Sequence, residues 1–331
     1  MANILVTSIG SFAADIVIKT LKANGHYVVG CDIYRKEWIA DAYNVNAFEQ
    51  APSVLDMEAY LEFIIKICKK YDVRYVIPLI DLEVDLLCVQ KDFLLNQYGI
   101  IICTSNEETI KKCRDKYILP EYLKEIGINK TIPTMLLKET NVKDVNFPVI
   151  VKPRSGRSSQ GFFILKNREE LNYFITCNKI DDYIIQPYIE GDIIVVDVIK
   201  DLLSKKVVSI SRKELLRNKS GAGTTVEIIS NRYLTGLCEY IANKLNIIGA
   251  VCFEFISTKE DDLYFLEINP RFSGGVEFSH LAGYNVVLNH LGCYMNIPIE
   301  PDATIHKGMI IARKYEEYVT RMDHLITNES R

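Results

Sequence analysis

Three residues in one short stretch could do chemistry together. In Leu263-Tyr264-Phe265-Leu266-Glu267-Ile268-Asn269-Pro270-Arg271-Phe272-Ser273-Gly274-Gly275, an apolar run delivers a carboxylate, an amide and a guanidinium at alternate positions. As a strand, its period of two sets Glu267, Asn269 and Arg271 on one face and Leu266 and Ile268 on the other. A carboxylate beside an amide oxygen suits magnesium, a hard cation that shares its oxygen ligands with substrate phosphates. Arg271 adds a planar fork for phosphoryl oxygens or a substrate carboxylate. An edge strand with a solvated polar face would show the same alternation, so the stretch has to be weighed with the rest of the chain.

A second cluster lies earlier. Phe147-Pro148-Val149-Ile150-Val151-Lys152-Pro153 reads as a strand ending in a lysine, followed by the loop Arg154-Ser155-Gly156-Arg157-Ser158-Ser159-Gln160-Gly161. Small residues let backbone amides approach phosphate oxygens, and a nest of such amides binds anions. Lys152 supplies a point charge beside the nest, and Arg157 reaches toward a terminal phosphate. The spacing is not that of a Walker loop, because no Gly-Lys-Ser/Thr ends it at a helix. A flexible surface hairpin is the plain alternative. Phe162–Leu165 resumes the sheet and Glu169–Ile175 reads as a helix. Tyr183-Ile184-Ile185-Gln186-Pro187-Tyr188-Ile189-Glu190-Gly191-Asp192 then runs into a turn before a strand over Ile193–Ile199. Free backbone groups in such a segment can pair with an adenine edge while its side chains pack the ring.

The elements before these clusters read as an α/β domain. Ile4–Thr7 is a strand, Ala13–Asn24 an amphipathic helix stopped by Gly25, and Tyr27–Asp32 a second strand closing with an acid. Strand, helix and strand in this order make a right-handed parallel unit. Asp32 stands where an acid holds a ribose in dinucleotide-binding domains. The turn has Gly10 alone instead of Gly-x-Gly-x-x-Gly, so a nicotinamide cofactor is rejected. Asp56–Tyr71 is a helix with Tyr60, Phe63, Ile64 and Ile67 on one stripe. Asp81 and Glu83 follow the strand Val73–Pro78, where they either line a substrate site or cap the next helix. A boundary is expected near residue 110, giving segments 1–110, 111–185 and 186–331. The tail from Arg313 is expected to be a peripheral helix ending in disorder.

The 331 residues, 48% hydrophobic and 25% charged, are enough for two or three domains with sizeable cores. A formal net charge of −4 gives no electrostatic case for nucleic acid or anionic membrane. No apolar run approaches the roughly 20 residues that span a bilayer. The amino terminus moves straight into a strand, without a signal peptide's basic segment and cleavage site. The nine cysteines are scattered and form no Cys-x-x-Cys pair. A cytoplasmic protein is expected.

Lysine, glycine loop, hinge and carboxylate–asparagine–arginine strand occur in one order, and together they resemble the ATP-grasp superfamily. The branch most resembled is that of the carbamoyl-phosphate synthase large subunit and small amino-acid ligases. The resemblance covers essentially the whole chain. It implies an α/β fold, α+β in the nucleotide-binding part, with an N-terminal Rossmann-like domain before the ATP-grasp domain. The cofactors implied are ATP and Mg2+, with manganese as an alternative ion. Lys152 and Lys116 would contact the phosphates under the loop bearing Ser158 and Gly161, and Gln186, Pro187, Tyr188 and Ile189 would form the adenine hinge. Glu254, in Val251–Phe255, would join Glu267 and Asn269 as metal ligands. Arg271 would steady the transferred phosphate, and Arg212 would stand near the acyl phosphate and substrate carboxylate, beside the stretch Gly221–Thr225. Members often have Glu at the position of Pro187 and an acid or histidine at that of Ile193, so Asp192 and Glu190 are the substitutes for the ribose contact. The implied activity is ATP-dependent ligation of a small-molecule carboxylate to an amine. Phosphorylation of a carboxylate or bicarbonate for a partner, or a scaffold that has lost chemistry, are the alternatives. A homodimer through the first domain is compatible with the resemblance. One nucleotide unit without an amidotransferase domain argues against a complete carbamoyl-phosphate synthase. Of the five histidines, His280 is nearest the site in sequence and is read as structural or substrate-lining.

Overall fold

A computed structural model describes residues 1–157, 160–219, 221–300 and 305–322. The chain divides into two units, Met1–Cys103 with the described part of Arg313–Arg331, and Thr104–Ala312. The division thus falls just before the expected one, and residue 110 lies inside the helix Glu107–Arg114.

In the first unit the apolar runs become β1 (Asn3–Thr7), β2 (Tyr27–Asp32), β3 (Ala47–Gln50), β4 (Tyr75–Ile77) and β5 (Ile101–Ile102), all parallel in the order β3-β2-β1-β4-β5. Leu5, Val29 and Val76 meet Tyr60, Ile64 and Ile67 of the helix Met57–Lys70 in one core, with Phe63 only at its margin. Asp56 caps that helix, accepting a hydrogen bond from the Ala59 amide at 3.2 Å. Asp32 serves its own turn: Oδ2 accepts from the Gly10 amide at 2.9 Å, and Oδ1 from that of Tyr34 at 3.1 Å. Glu83 lies in the first turn of the helix Asp81–Val89 and accepts from Thr7 Oγ1 (2.5 Å), Ser8 Oγ (2.8 Å) and Tyr60 Oη (2.6 Å). Both acids therefore stitch strand ends together.

The expected peripheral helix after Arg313 is absent from the described residues, which form neither helix nor strand there. They are held by the first unit instead. Arg313 lies over the Phe12 ring at 5.4 Å, Thr320 Oγ1 donates to the Glu37 carbonyl at 2.6 Å, and Tyr43 Oη donates to the Thr320 carbonyl at 2.7 Å.

The second unit holds two antiparallel sheets. The smaller has β6 (Met135–Leu136), β7 (Val149–Pro153), β8 (Phe163–Leu165) and β9 (Tyr183–Pro187) in the order β6-β9-β7-β8. Val149, Val151 and Ile185 on one of its faces pack against Leu171 and Phe174 of the helix Arg168–Cys177. The larger has β10 (Asp192–Lys200), β11 (Val207–Arg217), β12 (Gly223–Ile229), β13 (Gly249–Ser257), β14 (Leu263–Asn269) and β15 (Ile310–Ala312), in the order β14-β13-β10-β11-β12-β15. Val196, Val198, Phe253, Phe255, Phe265 and Ile268 cover one face together with Leu234, Cys238 and Ile241 of the helix Arg232–Lys244. Among the described residues no helix is long and apolar enough to cross a membrane.

Candidate active site

The antiparallel ladder of β13 and β14 pairs Glu254 directly with Glu267 and Cys252 with Asn269. Like charges on one rung repel, so the sequence has set two carboxylates where only a cation or a proton relieves them. Immediately beyond that rung the register shifts: Phe255 pairs with Phe265, leaving Leu266 over as a bulge. The expected alternation is corrected accordingly. Phe265 and Ile268, three apart, both enter the core, whereas Leu266 is only half-buried. The bulge re-aims the strand so that Glu267 keeps phase with Glu254 while Phe265 stacks edge-on against Phe255 at 5.7 Å.

Asn269 joins the pair, its Nδ2 donating to Oε1 of Glu254 and of Glu267, each at 3.1 Å. Lys116 approaches from the other side, with Nζ 3.3 Å from Glu267 Oε2. The two acids are thereby driven apart. Burial would raise the proton affinity of Glu267, but Lys116, Lys152 and the Asn269 amide outweigh it and hold the group well below the ordinary carboxylate range. Burial, and then the charge of Glu267, push Glu254 up, against smaller opposition from Arg217 and Arg271.

Lys116 is also tied to the phosphate-loop segment. Its amide donates to the Arg154 carbonyl at 3.0 Å and its Nζ to the Gly156 carbonyl at 2.8 Å. Arg154 is a structural residue here, forked onto the Asp115 carboxylate at 2.6–2.9 Å. Lys152, at the end of β7, is 7% exposed, and its burial lowers its pKa to about 8 against the opposing charge of Glu267. At Gly161 the backbone has φ +69°, and a Cβ would stand 2.9 Å from both Pro153 Cγ and Tyr183 Oη, so this turn requires glycine. Ser158 lies outside the described residues.

Gln186 closes β9 next to Pro187 and is 3% exposed. Pro187 and Tyr188 are exposed, Ile189 half-buried. The Tyr188 amide donates to the Pro148 carbonyl at 3.1 Å, and Pro187 has no amide hydrogen, so neither position offers a backbone donor to a base. Asp192 pairs at the surface with Lys213 at 2.6 Å.

Two arginines stand apart in character. Arg271 is partly buried, with Nη1 donating to the Phe272 carbonyl at 3.0 Å, and its charge acts on Glu254. Arg212, 1% exposed, donates to Asp197 Oδ2 at 2.7 Å and to Ser273 Oγ at 2.9 Å; Asp197 also accepts from Ser279 Oγ at 2.6 Å. β14 ends at Asn269, which leaves Arg271 beyond the strand, and a Cβ at Gly275 would meet Arg212 Nη2 at 2.9 Å, so this glycine lies directly on the guanidinium. Arg212 thus braces the Ser273–Gly275 turn from beneath. His280 is half-buried, and its Nδ1 has no hydrogen-bond partner among the described residues.

Sequence reasoning missed Arg217 and Glu214. Arg217 reaches to 3.8 Å from Glu254 Oε2 while its Nε holds Glu214 at 2.6 Å. The register of β11 against β12 shifts between these two residues, so no strand periodicity could have placed them beside Glu254 and Glu267.

The donor set fits a hard divalent cation. Two carboxylates and one amide converge, and among the described residues no larger His, Cys, Asp or Glu cluster competes. The Asn269 amide, turned about its terminal torsion, would offer oxygen in place of nitrogen.

Residues 113–275 match the family model of the ATP-grasp domain, and residues 4–102 match that of the PylC-like N-terminal domain. The chain carries an ATP-grasp domain. Members of that family are ATP-dependent ligases and carboxylases. The carbamoyl phosphate synthase large chain of Agathobacter rectalis is 26% identical over 209 residues, which are 58% of this chain and 20% of that one. The chain therefore spans about a fifth of that relative. Among solved structures, the biotin carboxylase domain of Hydrogenobacter thermophilus 2-oxoglutarate carboxylase matches with a TM-score of 0.75 and 20% identity, over 94% of this chain and 73% of that one. N5-carboxyaminoimidazole ribonucleotide synthetase from Thermotoga maritima matches with a TM-score of 0.70 and 20% identity, over 92% and 79%. These likenesses establish the ATP-grasp fold with its preceding α/β domain.

Proposed function

We propose that this chain is an ATP-dependent carboxylate–amine ligase acting on small molecules, with the two sheets of the second unit gripping ATP between them. The observation that carries the reading is the Glu254–Glu267 rung, bridged by Asn269 and flanked by Lys116, with Lys152 near enough for its charge to act on Glu267. Hydrogenobacter biotin carboxylase was solved with MgADP, and ATP with Mg2+ is the corresponding pair here. Manganese, which also favours oxygen ligands, is expected to substitute.

Glu254, Glu267 and Asn269 would hold the ion, which would supply positive charge to offset the charge that develops on the phosphates. Lys116 and Lys152 supply fixed cations to the phosphate oxygens, and Arg271 to the oxygens of the phosphoryl group in transfer. That group passes from ATP to a carboxylate oxygen, giving ADP and an acyl phosphate. An amine nitrogen then attacks the acyl carbon, phosphate leaves with the C–O bonding pair and takes up the proton the nitrogen sheds, and an amide remains. The protein's task is positioning and charge stabilisation. Asp192 is read as the ribose contact, reached by release from Lys213.

The carbamoyl phosphate synthase relative supports a second reading, in which the chain phosphorylates a carboxylate or bicarbonate for a partner. A homodimer through the first unit is proposed because the Hydrogenobacter domain was solved as a dimer. The test is ADP release across a panel of carboxylates and then carboxylate–amine pairs, with Glu267→Gln as control. Turnover that needs one pair, and drops roughly 10²–10³-fold in the variant, is the expected result. A wild type that binds ATP yet turns over with no pair would refute the ligase reading.

A further inference from the structure

Gln186 carries more information than its place in a hinge. Along β9, Ile185 enters the core beneath the helix Arg168–Cys177, which puts Ile184 and Gln186 on the opposite face. Along β7, Val149 and Val151 enter the same core and Ile150 and Lys152 take the opposite face. The ladder pairs Gln186 with Ile150 and Ile184 with Lys152. Gln186 and Lys152 therefore share one face, their backbone positions offset by roughly 7 Å along the strand. Lys152 is the group on that face whose charge acts on Glu267 and Glu254.

The amide's orientation is set by its neighbours. Thr134 Oγ1 donates its single proton to the Ile132 carbonyl at 2.8 Å, so toward Gln186 the hydroxyl can only accept. It accepts from Gln186 Nε2 at 2.8 Å, and both residues are buried. Gln186 Oε1 is consequently a buried acceptor with no hydrogen-bond partner among the described residues. Buried polar atoms are seldom left unsatisfied without a functional reason.

We propose that Thr134 is the positioning residue that sets base selectivity, by fixing the Gln186 amide with its oxygen toward the nucleotide, where it accepts from the exocyclic amine of adenine. This rests on the reading of Gln186–Ile189 as the adenine hinge. A 6-oxo purine presents an acceptor to that oxygen and is rejected.

The experiment measures binding, without turnover, of ATP, inosine triphosphate and purine riboside triphosphate (hydrogen at position 6) by titration calorimetry with magnesium. Wild type should bind ATP at least tenfold more tightly than either analogue. Thr134→Val frees the amide to turn and should narrow the ATP-to-inosine ratio about tenfold while leaving purine riboside binding unchanged. Thr134→Ser should restore the ratio. Gln186→Leu should erase the difference between ATP and purine riboside triphosphate, which keeps the proposal testable if the valine variant melts early. Equal wild-type affinity for ATP and inosine triphosphate, or a folded Thr134→Val with an unchanged ratio, would overturn it. Failure of wild type to bind any of the three would overturn the nucleotide reading itself, and the selectivity proposal with it.

Discussion

Lys152 is buried with its proton affinity lowered, so its charge state and its ligand are linked. With a free-state pKa of about 8, part of the population is neutral in mildly alkaline solution, and arriving phosphates favour the ammonium. ATP binding at pH 8–9 is therefore expected to take up a proton, with affinity falling as pH rises through this range. Calorimetry in buffers of different ionisation enthalpy reads the uptake, and Lys152→Gln should abolish it. Glu254 carries the opposite sign. Its folded-state pKa is raised above the unfolded value by burial and by Glu267, so its contribution to stability is present at acid pH and is lost as pH rises through the folded value. Glu254→Gln should accordingly stabilise the metal-free protein at pH 8, by about 1–3 kcal/mol, and abolish the magnesium-dependent stabilisation that the proposed site predicts for the wild type. Arg212 has a different test. Its guanidinium is sealed against Asp197, so Arg212→Ala should cost about 3–5 kcal/mol in urea unfolding, the expense of a stranded buried charge. At this scale Glu267, Asn269 and Lys152 stood out by residue type and spacing, whereas Glu254 entered only through the family resemblance; strand pairing brings it onto the rung with Glu267. The partner of Arg212 was not legible, since strand pairing brings Asp197 to it from an element whose side-chain facing the sequence left open.

The bulge in β14 separates what the sequence shows from what pairing decides. Strict alternation makes Leu266 and Ile268 equivalent; the shifted register makes Phe265 and Ile268 equivalent instead. Leu266→Ser should then cost less than about 1 kcal/mol, while Phe265→Ala and Ile268→Ala should each cost about 2–5 kcal/mol in denaturant unfolding. Equal losses at Leu266 and Ile268 would refute the register. The same strand is clamped at its start, where the Phe265 amide donates to the Lys130 carbonyl at 2.9 Å and Thr131 bridges to Phe265. The segment that pins β14 thus continues directly into Thr134. Strand identity was readable from apolar runs; register, being a property of two chains of residues at once, was not.

At the scale of the molecule, the order of the two units and the α/β nature of the first followed from alternating strand and helix patterns. The return of the C-terminal segment did not, because a polar run such as Arg313–Thr320 carries no periodicity that names its partner. Its contacts include hydrogen bonds to a carbonyl and from a half-exposed tyrosine, and an arginine over an aromatic ring. Ending the chain at Ala312 should therefore weaken the first unit by about 1 kcal/mol. Trp38, the sole tryptophan and next in sequence to Glu37, reports that unfolding by fluorescence. An unchanged midpoint would show the contacts to be idle. A fragment of residues 104–312, with both sheets and their helices, should melt cooperatively by circular dichroism and bind ATP. The return of the segment also has a timetable. During synthesis the ribosome releases Met1–Cys103 first and Thr320 only after the whole second unit, so the Glu37 and Tyr43 hydrogen bonds of the unit made first are among the last to form.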